Sequence, residues 1–169
     1  MDRYCDKLDS LTPIAKRIVI DKATEYPHTG FHNNVKSTGT YLCKRCGLAL
    51  FRGNSQFSSG CGWPSFDDEI NNAIKQQSDK DGQRTEIVCA RCDAHLGHVF
   101  IGEYLTVNNL RHCVNSASLD FVEDSHVLDT EEAIVAGGCF WGVEHYLCQL
   151  TGVLFVESGY IGGHTLDPS

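Results

Sequence analysis

At 169 residues, 41% hydrophobic and 21% charged, the chain is long enough for one globular domain with part of another. Its net charge of −8 argues against a general nucleic-acid or anionic-membrane binder. No apolar run of roughly 18 residues exists, so no membrane-spanning helix is expected, and residues 1–10 lack the apolar centre of a secretory signal. Nine cysteines, an odd number without a visible signal, fit metal ligands plus reactive thiols in a reducing compartment better than a disulfide framework. A cytoplasmic location is therefore expected.

Residues 1–37 read as a helical or irregular lead-in, with Thr12 as N-cap and Pro13 at the first helical position. Residues 25–39, rich in Pro, Gly, Asn, Ser and Thr, read as loop. Short strands are expected at 40–42 and 48–51, on either side of Cys43-x-x-Cys46. A short helix over 67–74 and a turn over 75–83 follow. Thr85-Glu86-Ile87-Val88 alternates as a half-buried strand does and leads into Cys89-x-x-Cys92. Further strands are expected at 98–101, 104–107, 111–115 and 118–122. The acidic segment 125–132 reads as a linker between a domain over 1–124 and an incomplete one over 133–169. In that second part the pattern is a strand at 133–136, a helix at 143–150 and a strand at 153–156, too small a unit to bury its own core.

Cys43, Cys46, Cys89 and Cys92 form two knuckles separated by 42 residues, a spacing suited to a tetrahedral zinc ion. A closed shell of four thiolates leaves no open coordination position, so the predicted metal braces the fold. One pair acting as a redox dithiol is the alternative, but neither opens a helix in a βαβ setting. Cys113 lies in Arg111-His112-Cys113-Val114-Asn115. If this is a strand, Arg111, Cys113 and Asn115 share a face, and the guanidinium would lower the thiol pKa and raise its nucleophilicity. A buried inert cysteine is the alternative. His95 and His98 are proton-donor candidates or packed core histidines. Cys61-Gly62-Trp63-Pro64 sets a thiol in a Gly-rich loop beside an aromatic that either walls a methyl pocket or packs in the core.

These motifs together resemble the methionine-R-sulfoxide reductases, the B type. The matching residues are Cys43-x-x-Cys46, Ser59-Gly60-Cys61-Gly62-Trp63-Pro64-Ser65-Phe66, Cys89-x-x-Cys92, His95-Leu96-Gly97-His98-Val99-Phe100 and Arg111-x-Cys113-x-Asn115-Ser116-x-Ser118-Leu119. The resemblance implies a mainly β fold of two small antiparallel sheets with short N-terminal helices and a structural zinc away from the active site. It implies Cys113 as nucleophile and Cys61 as resolving thiol. Trp63 and Phe100 would bind substrate, and His95, His98, Arg111 and Asn115 would surround the reacting sulfur. Methionine sulfoxide, free or in proteins, would be the substrate, and thioredoxin the reductant. His112 stands where the family commonly has Tyr or Phe, and residues 99–110 lack its usual Asp-Gly-Pro turn. The tail, with Gly137-Gly138-Cys139-Phe140-Trp141-Gly142 and Gly159-Tyr160-x-Gly162-Gly163, is similar to the opening of the A-type methionine-S-sulfoxide reductases. This implies a B-then-A fusion, a βαβ-like fragment of an α/β domain, and a truncated second site at Cys139, Phe140 and Trp141 without activity of its own. Two rival functions are a non-catalytic zinc-ribbon binding module and a general thiol–disulfide oxidoreductase.

Overall fold

A computed structural model of the chain describes residues 6–34, 38–79, 82–124, 133–147 and 156–159. It divides into two compact units, Asp6–Thr130 and a smaller one that contains the described residues from 133 onward. The first unit opens with a 3-10 turn, Leu8–Ser10, and helix α1, Pro13–Val19. As the sequence implies, the Thr12 hydroxyl accepts from the Ala15 N–H at 3.2 Å, and Pro13 sits where a missing N–H costs nothing. Ala15, Ile18 and Val19 bury one face of the helix.

Among the described residues nine strands follow: β1 Thr40–Cys43, β2 Ala49–Arg52, β3 Gln56–Phe57, β4 Ser65–Phe66, β5 Ile74–Ser78, β6 Thr85–Cys89, β7 His95–Ile101, β8 Leu110–Val114 and β9 Leu119–Val122. They make two antiparallel sheets, β2-β1-β9 and β3-β4-β8-β7-β6-β5. The expectation of a mainly β fold with two such sheets and short N-terminal helices is met.

The sheets meet through aromatic side chains. Phe51 of β2 stacks on Phe66 of β4 with ring centroids 4.2 Å apart, and Tyr41 of β1 packs edge-on against Phe66 at 4.9 Å. His112 of β8 is fully buried, tilted against Phe51 at 5.5 Å. Since side chains alternate along a strand, burying Phe66 and His112 turns their neighbours Ser65 and Cys113 to the other face.

Several expectations are corrected. Residues 67–73 form no helix, and residues 74–78 are strand β5, where the end of that helix and a turn were expected. β5 is an edge strand with only Ile74 buried, so its polar Lys-Gln-Gln-Ser run carries no alternation to read. Residues 104–107 are loop. Tyr104 and Asn109 take φ of 57° and 50°, and the Asn109 Oδ1 accepts the Tyr104 N–H at 2.9 Å, a turn closed by a side chain. In the second unit, residues 133–136 are exposed and in no strand. Helix α2 runs from Phe140 to Leu147, starting earlier than the expected 143. The expected linker at 125–132, helix end at 148–150, strand residues at 153–155 and glycines 162 and 163 lie outside the described residues.

One glycine is demanded by a close backbone approach. A Cβ built on Gly97 of β7 would lie 2.0 Å from the Cys113 carbonyl oxygen across the strand pair. Gly97→Ala must therefore separate β7 from β8 and is expected to cost about 3 kcal/mol of unfolding free energy. Urea denaturation checks this, and an unchanged midpoint would contradict it.

Candidate active site

The register of the six-stranded sheet builds the site. Ser65 of β4 pairs with Cys113 of β8, Cys113 with His98 of β7, and His98 with Glu86 of β6. The row continues to Gln77 of β5. Cross-strand partners share a face, so this row lies opposite the aromatic core. Arg111 and Phe100, two residues along from Cys113 and His98, are the next pair on that face.

Cys61 enters from the loop between β3 and β4. It lies four residues before Ser65, and its Sγ sits 3.8 Å from the Cys113 Sγ. Both thiols are half-buried. The Ser59 hydroxyl donates to the Cys61 sulfur at 3.0 Å, and the Ser65 hydroxyl lies 3.6 Å away. Burial opposes charge on Cys61, but these hydroxyls outweigh it and hold the thiol below its ordinary pKa. Cys113 behaves oppositely. Burial, reinforced by the neighbouring Cys61, pushes it up to about 12, against the lowering effect of Arg111. The expected lowering of the Cys113 pKa by Arg111 is present but outweighed: desolvation exceeds the guanidinium's effect, and two sulfurs this close resist carrying two charges.

Trp63 is half-buried, and its indole N–H donates to the Glu25 carbonyl at 3.1 Å. The segment around Glu25, which the sequence shows only as loop, is a strap over the site. Its carboxylate accepts from the Ser116 and Ala117 N–H groups at 2.6 and 3.1 Å, and the His28 N–H donates to the Gly62 carbonyl at 2.7 Å. Burial raises the Glu25 pKa, opposed by those two backbone bonds. Asn115 accepts the Glu25 N–H at 3.0 Å and donates to the Leu96 carbonyl at 3.0 Å. Its hydrogen bonds therefore brace the strap and β7.

His95 and His98 would face opposite sides of a regular strand, being three residues apart. A bulge between Ile87 and Val88 in the β6–β7 register pairs Val88 with His95, which returns it to the face of His98. The two rings lie 5.7 Å apart. His95 Nδ1 is 2.7 Å from Glu86 Oε1, and the other Glu86 oxygen accepts from Lys22 Nζ at 2.7 Å and Gln77 Nε2 at 2.8 Å. Burial lowers the His95 pKa, so the neutral ring is favoured, with Glu86 pulling the other way. His98 Nε2 lies 2.7 Å from Asp79 Oδ2, which Arg84 also contacts at 2.8 Å. Arg111 is gripped by Glu103 through two bonds of 2.7 and 2.9 Å and lies 4.4 Å over the Phe100 ring.

Cys43, Cys46, Cys89 and Cys92 are buried, with all four sulfurs within 4.8 Å of one another. Cys43 and Cys92 are 3.6 Å apart, Cys46 and Cys89 3.5 Å. The knuckles match: Gly47 and Asp93 occupy equivalent left-handed positions, φ 73° and 56°, and donate to the Cys43 and Cys89 carbonyls at 2.8 and 3.0 Å. A tetrahedral ion with metal–sulfur bonds of about 2.3 Å sets sulfur–sulfur edges near 3.8 Å, so the donor set fits a soft divalent cation. The cluster joins the end of β1 in one sheet to the end of β6 in the other.

Comparison with known families decides the affiliation of this fold. The SelR domain family matches residues 11–123, two thirds of the chain, and the match includes both thiol groups and the histidine pair. The chain belongs to the SelR domain family. A second family, described as peptide methionine sulfoxide reductase, matches residues 131–169, so the two follow one another in a single chain. Over 119 residues the chain is 49% identical to peptide methionine sulfoxide reductase B2, chloroplastic, of Arabidopsis thaliana, covering 70% of this chain and 59% of that protein. It is 47% identical over 116 residues to peptide methionine sulfoxide reductase B5 of Oryza sativa subsp. japonica, covering 68% and 85%. Against the chloroplastic B3 protein of the same rice the shares are 68% and 51%. The chain thus spans about half to three-fifths of the length of two of these relatives. Among the described residues of this SelR protein, no helix is long and apolar enough to cross a membrane.

In the smaller unit, Cys139 is exposed just before α2, and the Val143 N–H donates to its carbonyl at 3.1 Å. Phe140 and Trp141 have near-parallel rings 5.5 Å apart. Glu144 is buried and accepts from the Ser158 hydroxyl.

Within the SelR domain, Glu25, Asp79, Glu86 and Glu103 join the site although no motif contains them, and Ser59 and Ser65, which lie in the Cys61 motif, join it without a role having been read for them. Glu86 was legible in principle, as a lone carboxylate in an apolar strand beside the histidine motif. The acid stability of the protein depends on it. Burial opposes its ionisation, but Lys22, Gln77 and His95 together hold its pKa below the ordinary 4.5. A depressed carboxyl stabilises the fold above its unfolded pKa and loses that contribution as pH falls through the folded value. Chemical denaturation at about pH 6 and pH 3 should show a smaller acid-induced loss in Glu86→Gln than in the parent. An equal loss in both would contradict this role.

Proposed function

We propose that the chain reduces the R epimer of methionine sulfoxide with Cys113 as nucleophile and Cys61 as resolving thiol. The observation that carries this reading is the 3.8 Å approach of these two sulfurs on a face that also presents His98 and Arg111. The names of the relatives, and the match of both motifs to one family, support it.

Substrate would lie with its methyl group against Trp63 and Phe100 and its oxygen toward Arg111 and the histidines. The Cys113 sulfur bonds to the sulfoxide sulfur, then that S–S bond and the substrate S–O bond break as the protonated oxygen forms a new bond to the Cys113 sulfur, so methionine leaves and Cys113 becomes a sulfenic acid. The sulfoxide gains two electrons and the cysteine loses two. In net terms the Cys113 proton moves to the oxygen. His98, tied to Asp79 and partnered across the strands with Cys113, is suited to carry it. His95, dry and held by Glu86, sets the second wall of the pocket. The Cys61 thiolate then attacks the Cys113 sulfur, forming the disulfide and releasing the oxygen as water. An external dithiol, for which we take thioredoxin, reopens the disulfide by exchange.

Zinc suits the four-thiol cluster. Held by Cys43, Cys46, Cys89 and Cys92, it would neutralise the crowded thiolates and clamp the two sheets, with no part in the chemistry. We take residues 1–124 as the B-type domain, 125–132 as the connection, and 133–169 as A-type sequence. A reducing compartment such as the cytoplasm suits the working thiols. A zinc-ribbon binding module would leave the second thiol pair and its histidines without a role. A general thiol exchanger would not need Trp63, Arg111 and Phe100 beside the pair.

Cys113→Ser should abolish R-sulfoxide reduction, at least a 1000-fold loss being expected on removal of a nucleophile, roughly the scale set by catalytic-residue deletions. Cys61→Ser should complete one turnover and fail to cycle with thioredoxin. Near-normal rates in the first variant, or sustained cycling in the second, would contradict the assignments. Metal analysis should find about one zinc per chain, with chelation lowering the thermal midpoint. Metal-free protein of full stability would contradict the zinc reading.

A further inference from the structure

Ser59 and Ser65 belong to no part of the mechanism above, yet their hydroxyls converge on the Cys61 sulfur. Ser59 Oγ donates to Cys61 Sγ at 3.0 Å and accepts the Cys61 N–H at 3.4 Å. Ser65 Oγ is 2.8 Å from Ser59 Oγ, 3.4 Å from the Trp63 carbonyl and 3.6 Å from the same sulfur. Ser65 is fully buried, and its place is fixed by cross-strand pairing with Cys113. The two serines therefore touch one thiol and are seated by the other's strand.

The proton inventory of this cluster favours charge on Cys61. As a neutral thiol, Cys61 has only long contacts to donate to, the Trp63 carbonyl at 3.5 Å, Ser65 Oγ at 3.6 Å and Cys113 Sγ at 3.8 Å. As a thiolate it receives the Ser59 hydroxyl at 3.0 Å, and with that proton committed to sulfur the Ser65 hydroxyl, 2.8 Å away, is placed to donate to Ser59 Oγ in place of its 3.4 Å contact to the Trp63 carbonyl. The neighbouring Cys113 S–H is a further donor at 3.8 Å. The backbone between Gly60 and Gly62, with φ of 75° and 93°, carries the sulfur on a turn of its own.

We propose that Ser59 and Ser65 are positioning residues of the disulfide-closing step, a hydroxyl relay that holds Cys61 as the attacking thiolate and aims it at Cys113. This rests on the resolving role assigned to Cys61 above. The step they serve joins the Cys61 thiolate to the Cys113 sulfenic sulfur. The S–S bond forms, the S–O bond breaks, and hydroxide leaves with one proton as water. Its rate follows the thiolate fraction of the attacker, so loss of the relay slows closure near neutral pH more than at high pH.

The test begins with alkylation of Cys61 by iodoacetamide in a Cys113→Ser background, followed by peptide mass spectrometry across pH. This readout needs no sulfoxide and is independent of the proposed function. Ser59→Ala and Ser59→Ala/Ser65→Ala should move the alkylation midpoint up by at least about one pH unit, a tenfold loss of thiolate below it. Ser59→Thr, which keeps the hydroxyl, should restore the parent profile and serves if the double variant does not fold. In chains that retain Cys113, closure of the Cys61–Cys113 bond after one equivalent of R-sulfoxide should slow about tenfold at pH 7 and recover toward pH 9. An unmoved alkylation profile overturns the relay and leaves the resolving role of Cys61 intact. A moved profile with unchanged closure overturns the claim that the relay serves this step. Absence of any Cys61–Cys113 bond in the parent overturns the resolving role itself.

Discussion

The pairing of β4 with β8 is the constraint on which the site depends. Phe66 opposite His112 faces the aromatic core, and Ser65 opposite Cys113 faces the pocket. Because side chains alternate along a strand, a slip of one residue would bury Cys113 and expose His112. The stack of Phe51 on Phe66, with Tyr41 against its edge, holds that register by filling the space between the two sheets. Cys61 reaches Cys113 because it lies one short loop upstream of β4. The sulfur–sulfur distance is thus a consequence of core packing on the reverse side of the sheet.

The same chain uses cysteine in two physical regimes. Four thiols are buried where backbone knuckles from both sheets converge, a cluster that could hold a metal ion. Two others are half-buried, near hydroxyls, imidazoles and a guanidinium, where charge can move between them. Burial pushes the Cys113 thiol up, whereas at Cys61 burial also opposes charge but the hydrogen bonds gathered on its sulfur draw it below its ordinary pKa.

Much of this was legible in the residues. The paired knuckles, the Thr12–Pro13 helix start and most of the strands follow from local spacing and alternation, which report short-range physics. Edge strand β5 was hidden because a strand that buries one residue leaves no periodic trace. The 104–107 segment reads as strand by composition, but a positive φ at Tyr104 and a side-chain bond from Asn109 make it a loop. His95 shares a face with His98 only through the bulge opposite Val88, and spacing alone predicts the reverse. Glu25 meets Asn115 across 90 residues of sequence, a contact for which no local pattern exists. Composition reveals thiols and histidines but not the desolvation and hydrogen bonding that shift the two thiols in opposite directions.

The most direct test of the account is a stoichiometric reaction of fully reduced protein with each epimer of methionine sulfoxide, without added reductant, followed by peptide mapping of every cysteine. The account predicts about one methionine per chain from the R epimer, with Cys61 and Cys113 joined to each other and the four cluster cysteines unchanged. Methionine formed while Cys61 and Cys113 remain unlinked, or linked instead to the cluster cysteines, would contradict it.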